Sequence, residues 1–69
     1  MMPLTLEAIS LMLGLHAKTL YQLRRRHDSF PKPVLELGNA KAYDFDAVTV
    51  WLVERGTLRS MPVDPFEEL

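Results

Sequence analysis

Four side chains in the segment 17–26 carry positive or hydrogen-bonding groups at helical spacing: Lys18, Gln22, Arg25 and Arg26. At about 100° per residue they share one side of a helix, and Leu20 and Leu23 point the opposite way. A glutamine amide matches the edge of adenine, and a guanidinium group matches guanine or a phosphate. The spacing therefore favours a helix that contacts nucleic acid along one side, and the alternative is an ordinary solvated helix face.

Position along this helix separates two kinds of contact. The N-terminal turns of a recognition helix meet base edges, which makes Lys18, Thr19 and Gln22 candidates for sequence recognition. Arg25 and Arg26 are candidates for phosphate contacts, which position a protein on the duplex.

Three neighbouring residues each have their own interpretation. Tyr21 either reaches a phosphate with its hydroxyl or packs partly against the hairpin predicted at residues 34–43. His16 is interpreted first as a turn or N-cap residue and second as a phosphate contact. Arg24 falls nearer the core side, where we expect it to form an internal ion pair.

Two short helical patterns surround a glycine turn. Thr5 is a suitable N-cap for a helix over residues 6–13, and Gly14 suits its C-terminal end. The apolar side of this helix is predicted to contain Leu6, Ile9, Met12 and Leu13. A second helix is predicted from Ala17 to about Arg26, and Pro31-Lys32-Pro33 then prevents further helix.

A hairpin and a third helix follow. Val34–Leu37 and Ala40–Tyr43 flank Gly38-Asn39, a pair suited to a tight hairpin turn. Asp44 is predicted to cap a helix over Phe45–Arg55, which a glycine ends. Its core face is predicted to contain Ala47, Val48, Trp51 and Leu52.

This order of elements predicts an α+β, mostly helical fold of the winged helix-turn-helix class, with the hairpin as the wing. The DNA-binding domain is predicted over residues 1–59, followed by an acidic, proline-containing tail over 60–69. Lys32, Asn39 and Lys41 are further candidate DNA contacts around the wing.

The distribution of charge supports a polyanionic partner, although the chain of 69 residues has a net charge of −1. Between His16 and Lys41 there are six basic and two acidic residues, whereas residues 61–69 contain three acidic and no basic ones. Local field matters more than total charge when a polyanion binds. We expect the acidic tail to lower non-specific affinity.

Size and composition limit the remaining classes. A chain this short supports one small domain and no deep catalytic cleft. It contains no cysteine, which favours a reducing compartment. No apolar run approaches the roughly 20 residues of a membrane span, and the N-terminus lacks a signal-peptide pattern. We therefore expect a cytoplasmic protein that does not contact a membrane.

Catalysis and metal binding are not expected. Asp44 and Asp46 are explained by the start of a helix, and no nucleophile with an adjacent base, phosphate loop or cofactor motif occurs. His16 and His27 lie eleven residues apart, and no cysteine or carboxylate accompanies them at ligand spacing.

Three apolar residues lie opposite the predicted core faces, namely Leu11, Val50 and Val53. Either the tail covers them, or they form a surface for self-association. Cooperative binding of several copies to adjacent sites would supply affinity that a single recognition helix lacks.

Several short segments between Leu4 and Arg55, taken together, resemble the sequence pattern of a known protein family. They are Thr5–Ile9, Gly14-Leu15, Thr19–Tyr21, Phe30–Val34, Leu37-Gly38, Ala47-Val48 and Trp51-Leu52. The chain resembles the AlpA and excisionase family, DNA-binding proteins of phages and mobile elements that are distantly similar to MerR-type domains. It differs from the family pattern at His16, where Ser or Thr is frequent, and at Ala42, where arginine is frequent.

The resemblance implies binding to short, often repeated DNA sites near attachment sites or promoters, with DNA bending, excision by an integrase or gene regulation as the outcome. Residues 38–55 also resemble the DNA-binding domain of some phage terminase small subunits, which keeps a packaging role open. A third hypothesis is a protein-interaction adaptor that uses the tail and the third helix. The expected partners are double-stranded DNA and an integrase or a second copy of the chain, with no cofactor or small-molecule ligand.

Overall fold

The computed structural model describes residues 2–58, so the predicted tail lies outside the described residues. Within this range the elements are β1 (Pro3–Leu4), α1 (Leu6–Leu13), α2 (Ala17–Arg26), β2 (Leu35–Leu37), β3 (Ala40–Asp44) and α3 (Phe45–Arg55). About half of the molecule is helical, and the predicted α+β class is confirmed.

Local hydrogen bonds set both ends of α1. Thr5 is its N-cap, and the Thr5 hydroxyl accepts a hydrogen bond from the Ala8 amide at 3.2 Å. Gly14 follows the last helical residue with a φ of +71°, and the Leu15 amide donates to the Ser10 carbonyl at 2.8 Å. This pair of features is the Schellman arrangement, which a glycine adopts without steric cost. It ends α1, and α2 begins at Ala17.

The apolar side of α1 differs from its prediction at one residue. Leu6 and Ile9 are fully buried, as expected, but the Met12 side chain is 55% exposed and its assignment to the core face is wrong. Leu15, which follows the Gly14 turn, packs against the core instead.

A three-stranded antiparallel sheet has the order β1-β3-β2. The β2–β3 hairpin is confirmed, with Leu37 opposite Ala40 across a two-residue turn. Gly38 has a φ of +59° and Asn39 has a negative φ, which is the pattern of a type II′ turn. The β1 strand, which pairs Leu4 with Tyr43, was not predicted.

The core lies between the two first helices, β3 and α3. Its buried apolar members are Leu6, Ile9, Leu20, Phe30, Tyr43, Phe45, Val48, Trp51 and Leu52. Phe30 comes from the loop after α2 and makes edge-on ring contacts with Tyr43 and Trp51, at centroid distances of 5.9 and 5.0 Å. On the predicted core face of α3, Ala47 is half-buried.

The helix α3 begins at Phe45, as predicted, but the predicted capping hydrogen bond is absent. Asp44 occupies the N-cap position, yet its side chain makes no hydrogen bond to the helix. Its Oδ1 atom is buried without a hydrogen-bond partner in the described part of the chain. Pairing of β3 with β1 places Asp44 within the sheet, and Phe45 donates its amide to the Met2 carbonyl at 3.1 Å.

Candidate nucleic-acid interface

The inner side of α2 seats the helix on the protein. Leu20 is fully buried, and Leu23 is half-buried against the same core. The helix has the predicted bounds, Ala17–Arg26. These contacts determine which of its side chains remain on the surface.

Arg24 belongs to this inner side. Its Nη1 atom donates a hydrogen bond to the Tyr43 hydroxyl at 2.9 Å, and its Cζ atom lies 5.0 Å from the centre of the Tyr21 ring. The expected internal ion pair does not form with any carboxylate of residues 2–58. A neutral hydroxyl and an aromatic face hold the guanidinium instead.

The outer face of α2 consists of Lys18, Gln22, Arg25 and Arg26. The three cations are exposed, and Gln22 is half-buried, as is the neighbouring Thr19. No ion pair forms within the described range, so these cations have no carboxylate partner there. The structure thus brings together on one surface the side chains that the spacing predicted.

Tyr21 has a partner within the protein. Its hydroxyl donates a hydrogen bond to the Glu7 carboxylate on α1. This bond lowers the pKa of the Glu7 carboxyl below its ordinary value and raises the pKa of the Tyr21 phenol above its ordinary value. The hydroxyl that was a candidate for a phosphate contact therefore links α2 to α1.

The N-terminus of α2 has no side-chain cap. His16 occupies the N-cap position, as predicted, with an exposed side chain that makes no hydrogen bond to the helix. No acidic residue lies in the first turn. The leading amides of a helix are unpaired and attract anions, so this end can accept a phosphate.

A polar groove of about 500 Å³ separates α2 from the tip of the hairpin; we call it the hairpin groove. Tyr21 and Arg24 line one side, and Asn39 and Lys41 line the other. Because Lys18 and Arg25 are helical neighbours of Tyr21, the groove adjoins the outer face of α2.

Lys32 does not line the hairpin groove. It borders a second depression, of about 290 Å³, formed by the loop after α2 and the hairpin. Arg24, Lys41 and Glu36 also border it, and Glu36 is the register partner of Lys41 across the hairpin. The Lys41 charge is thus opposed by an acidic neighbour on the same face of the sheet.

The opposite face of the hairpin is apolar and exposed. Alternation along the two strands places Leu35, Leu37, Ala40 and Ala42 on one side. Leu37 is 78% exposed and Leu35 is 52% exposed. Of the residues predicted for self-association, Leu11 is 83% exposed, Val50 is 42% exposed and Val53 is half-buried.

Histidine and carboxylate side chains form no cluster of three or more that could hold a metal ion within residues 2–58. His27 accepts a hydrogen bond from the Arg55 guanidinium at 3.0 Å instead. None of the helices in this range is both long and apolar enough to cross a bilayer.

No family model, curated protein or solved structure matches this chain significantly.

Sequence reasoning missed two features of this region. One is the Glu7–Tyr21 bond, since two residues on different helices carry no local signal of contact. The other is the burial of Phe30, which places the end of α2 against Trp51. The sequence signal for this contact was the position of Phe30, an aromatic residue between Asp28-Ser29 and Pro31.

Proposed function

We propose that the chain is a non-enzymatic, sequence-specific binder of double-stranded DNA that uses α2 as the recognition helix of a winged helix-turn-helix. One observation carries the proposal, namely the division of α2 into two sides. Leu20 and Arg24 are engaged by the protein, whereas Lys18, Arg25 and Arg26 are exposed without an ion pair in the described part of the chain.

The surroundings of α2 support this assignment. A turn of three residues joins it to α1, as in helix-turn-helix motifs. Its N-terminus lacks an acidic residue, so base edges and phosphates can approach the first turns. Lys18, Thr19 and Gln22 are proposed to contact bases, and Arg25 and Arg26 to contact phosphates.

The hairpin is proposed to contribute as a wing. Asn39 and Lys41 lie across the hairpin groove from α2 and offer hydrogen-bond donors to the flanking backbone. Since Glu36 opposes Lys41, the wing adds little net charge. Most of the sequence recognition is therefore assigned to α2.

Selection of bound duplexes from a random library tests the proposal. The full chain is expected to enrich a defined motif. Gln22→Ala should relax base preference at one or two positions and weaken binding to the enriched site by about 5- to 100-fold. Arg25→Ala should weaken binding to all sequences alike and reduce the slope of log affinity against log salt by about 1.

Arg55→Gln is the matched control, because it removes one exposed positive charge from α3 and none from the outer face of α2. It should leave the selected motif unchanged. If no motif is enriched, or if Gln22→Ala and Arg25→Ala both bind like the native chain, α2 is not the recognition helix.

The biological output is proposed to be that of an excisionase or an AlpA-like regulator. Footprints at evenly spaced repeats beside an attachment site, and recruitment of an integrase to them, would support the first role. A footprint at a promoter would support the second. Protection of a packaging site would instead support the terminase-like alternative, which uses the same DNA-binding face.

A further inference from the structure

The outward side of α3 carries acidic and apolar side chains in one row, which we call the α3 row. It consists of Asp46, Val50 and Glu54, which recur every four residues and therefore lie one above another along the helix. Both carboxylates are exposed, and Val50 is 42% exposed. Neither carboxylate forms an ion pair within residues 2–58. The α3 row thus presents two negative charges with an apolar side chain between them.

The outer face of α2 contains a row of equal length and opposite charge, which we call the α2 row. Lys18, Gln22 and Arg26 also recur every four residues, and both cations are exposed. Each row extends over eight residue steps, which at a rise of about 1.5 Å per residue is about 12 Å. The two cations of the α2 row can therefore meet the two carboxylates of an α3 row at the same time.

An antiparallel arrangement of the two rows is favoured by the helix dipoles. It pairs Lys18, in the first turn of α2, with Glu54, in the last turn of α3. It also pairs Arg26, in the last turn of α2, with Asp46, in the first turn of α3. The positive N-terminal end of each helix then lies beside the negative C-terminal end of the other.

The charges of the chain indicate which molecule fits the α3 row. Both rows are exposed in the folded chain, so they do not meet within one copy. The segment 60–69 contains three acidic and no basic residues, so its charge disfavours it as a cover for an acidic surface. The α2 row of another copy has the matching sign and spacing.

We infer that a second copy of this chain docks its α2 row on the α3 row of the first. The contact is heterologous, because two different surfaces meet, and it can repeat from copy to copy. One pair of short helices is smaller than a standard interface of about 1,600 Å², so the association is transient. It is also sensitive to salt, since exposed ion pairs hold it.

The contact uses side chains that are proposed to bind DNA. A copy docked through its α2 row cannot present Lys18, Gln22 and Arg26 to a duplex, so DNA and a second copy exclude each other there. This differs from cooperative binding to adjacent sites, in which every copy keeps α2 on the DNA. The exclusion rests on the proposed function, whereas the contact between copies does not.

Exchange of one charge pair tests the contact on the full chain. Lys18→Glu and Glu54→Lys each introduce a charge that suits that end of its own helix, so both variants should fold. Each variant alone brings like charges together and should weaken self-association about three- to tenfold. The double variant should return to the native level, and an equimolar mixture of the two single variants should recover most of the association.

Self-association is measured by NMR, from the amide signals of Gln22 and Val50 at about 0.05 to 1 mM protein, a range that suits a weak contact. In the native chain both signals should shift with concentration at about 20 mM salt and cease to do so near 0.5 M salt, where the Debye length is about 4 Å. Glu36→Lys is the matched control, because it makes the same charge change on the hairpin. It should associate like the native chain.

Two results would overturn the contact between copies. One is an absence of concentration dependence in the native chain, as expected for a row that stays free or that the same copy covers. The other is failure of both the mixture and the double variant to associate more strongly than the single variants.

Addition of the selected duplex separates this inference from the proposed function. A saturating amount of duplex should abolish the concentration dependence, and its persistence on bound duplex would overturn the exclusion. If the duplex binds but Glu54→Lys associates like the native chain, the inference is overturned and the proposed function stands. If the charge exchange restores association but no duplex binds, the contact stands and the proposed function fails.

Discussion

Three consecutive arginines at the end of α2 have different surroundings. The Arg24 guanidinium lies between the Tyr21 ring and the Tyr43 hydroxyl, whereas Arg25 and Arg26 are exposed. The difference follows from helical geometry, because one residue of rotation moves a side chain by about 100°. Identical residue types therefore separate into one structural and two surface positions.

Arg24→Ala and Arg25→Ala form a matched pair that tests this separation. Arg24→Ala should lower the free energy of unfolding by about 1–3 kcal/mol, since the buried Tyr43 loses its hydrogen-bond donor. Arg25→Ala should change it by less than about 0.5 kcal/mol. Urea denaturation measures both, and equal effects would contradict the assignment of Arg24 to the core side.

The Glu7–Tyr21 bond predicts a dependence of stability on pH. Glu7 has a lowered pKa, so its contribution is present above the pKa of a free glutamate, about 4.3, and is lost as the pH falls through the lower folded value. Tyr21 has a raised pKa, so its contribution is present below about 10 and is lost as the pH rises through the higher folded value.

Tyr21→Phe should therefore be less stable than the native chain between about pH 5 and 9, with a difference that shrinks towards pH 2. The loss should stay below about 1 kcal/mol, because water screens both exposed groups. Tyr43→Phe keeps the Glu7–Tyr21 bond and serves as the control. A Tyr21→Phe difference that is independent of pH in thermal or urea unfolding would contradict this account.

At the scale of elements, the turn between α1 and α2 determines how the outer face of α2 is presented. Gly14 has a φ of +71°, and a Cβ added there would meet no atom within 4 Å. Any cost of substitution is therefore conformational rather than a clash. The hairpin has the same feature at Gly38, which has a φ of +59° and similar open space.

Gly14→Ala should lower the free energy of unfolding by about 1–2 kcal/mol, because an L-residue with a Cβ resists the left-handed conformation. Gly14→Asn should cost less, since asparagine tolerates this region better than alanine does. Thermal unfolding followed by circular dichroism provides the comparison. Equal stability of the alanine variant and the native chain would show that the turn does not need this conformation.

At the scale of the whole molecule, the cations available to a DNA backbone limit the salt dependence of binding. The candidates with exposed side chains are Lys18, Arg25, Arg26, Lys32 and Lys41. If all of them contact phosphates, log affinity should fall against log salt with a slope of about −4.5 for one copy of the chain.

Affinity for the enriched site is to be measured by fluorescence anisotropy between about 50 and 300 mM salt. Lys32→Gln tests whether the loop after α2 contacts the DNA backbone. If Lys32 binds a phosphate, this variant should make the slope of log affinity against log salt shallower by about 1. A slope much steeper than about −5 would exceed what a single copy can supply. It would indicate that several copies bind together, for which the exposed apolar face of the hairpin at Leu35 and Leu37 offers a surface.

Elements set by neighbouring residues were predictable from the sequence. Thr5 bonds to an amide three residues away, and Gly14 and Gly56 adopt positive φ at helix ends. Both ends of α1 and the C-terminal end of α3 follow from these short-range interactions, and the exposed positions of Lys18, Arg25 and Arg26 follow from helical period.

Contacts between distant residues required the tertiary structure. The sequence by itself determined the helices, the hairpin turn and the outer face of α2, because hydrogen bonds within a few residues specify them. Only the tertiary structure decided that β1 joins the sheet, that Arg24 meets Tyr43 and that Met12 stays exposed. These outcomes depend on how separate elements pack, and spacing within one element carries no information about which side chain of another it will meet.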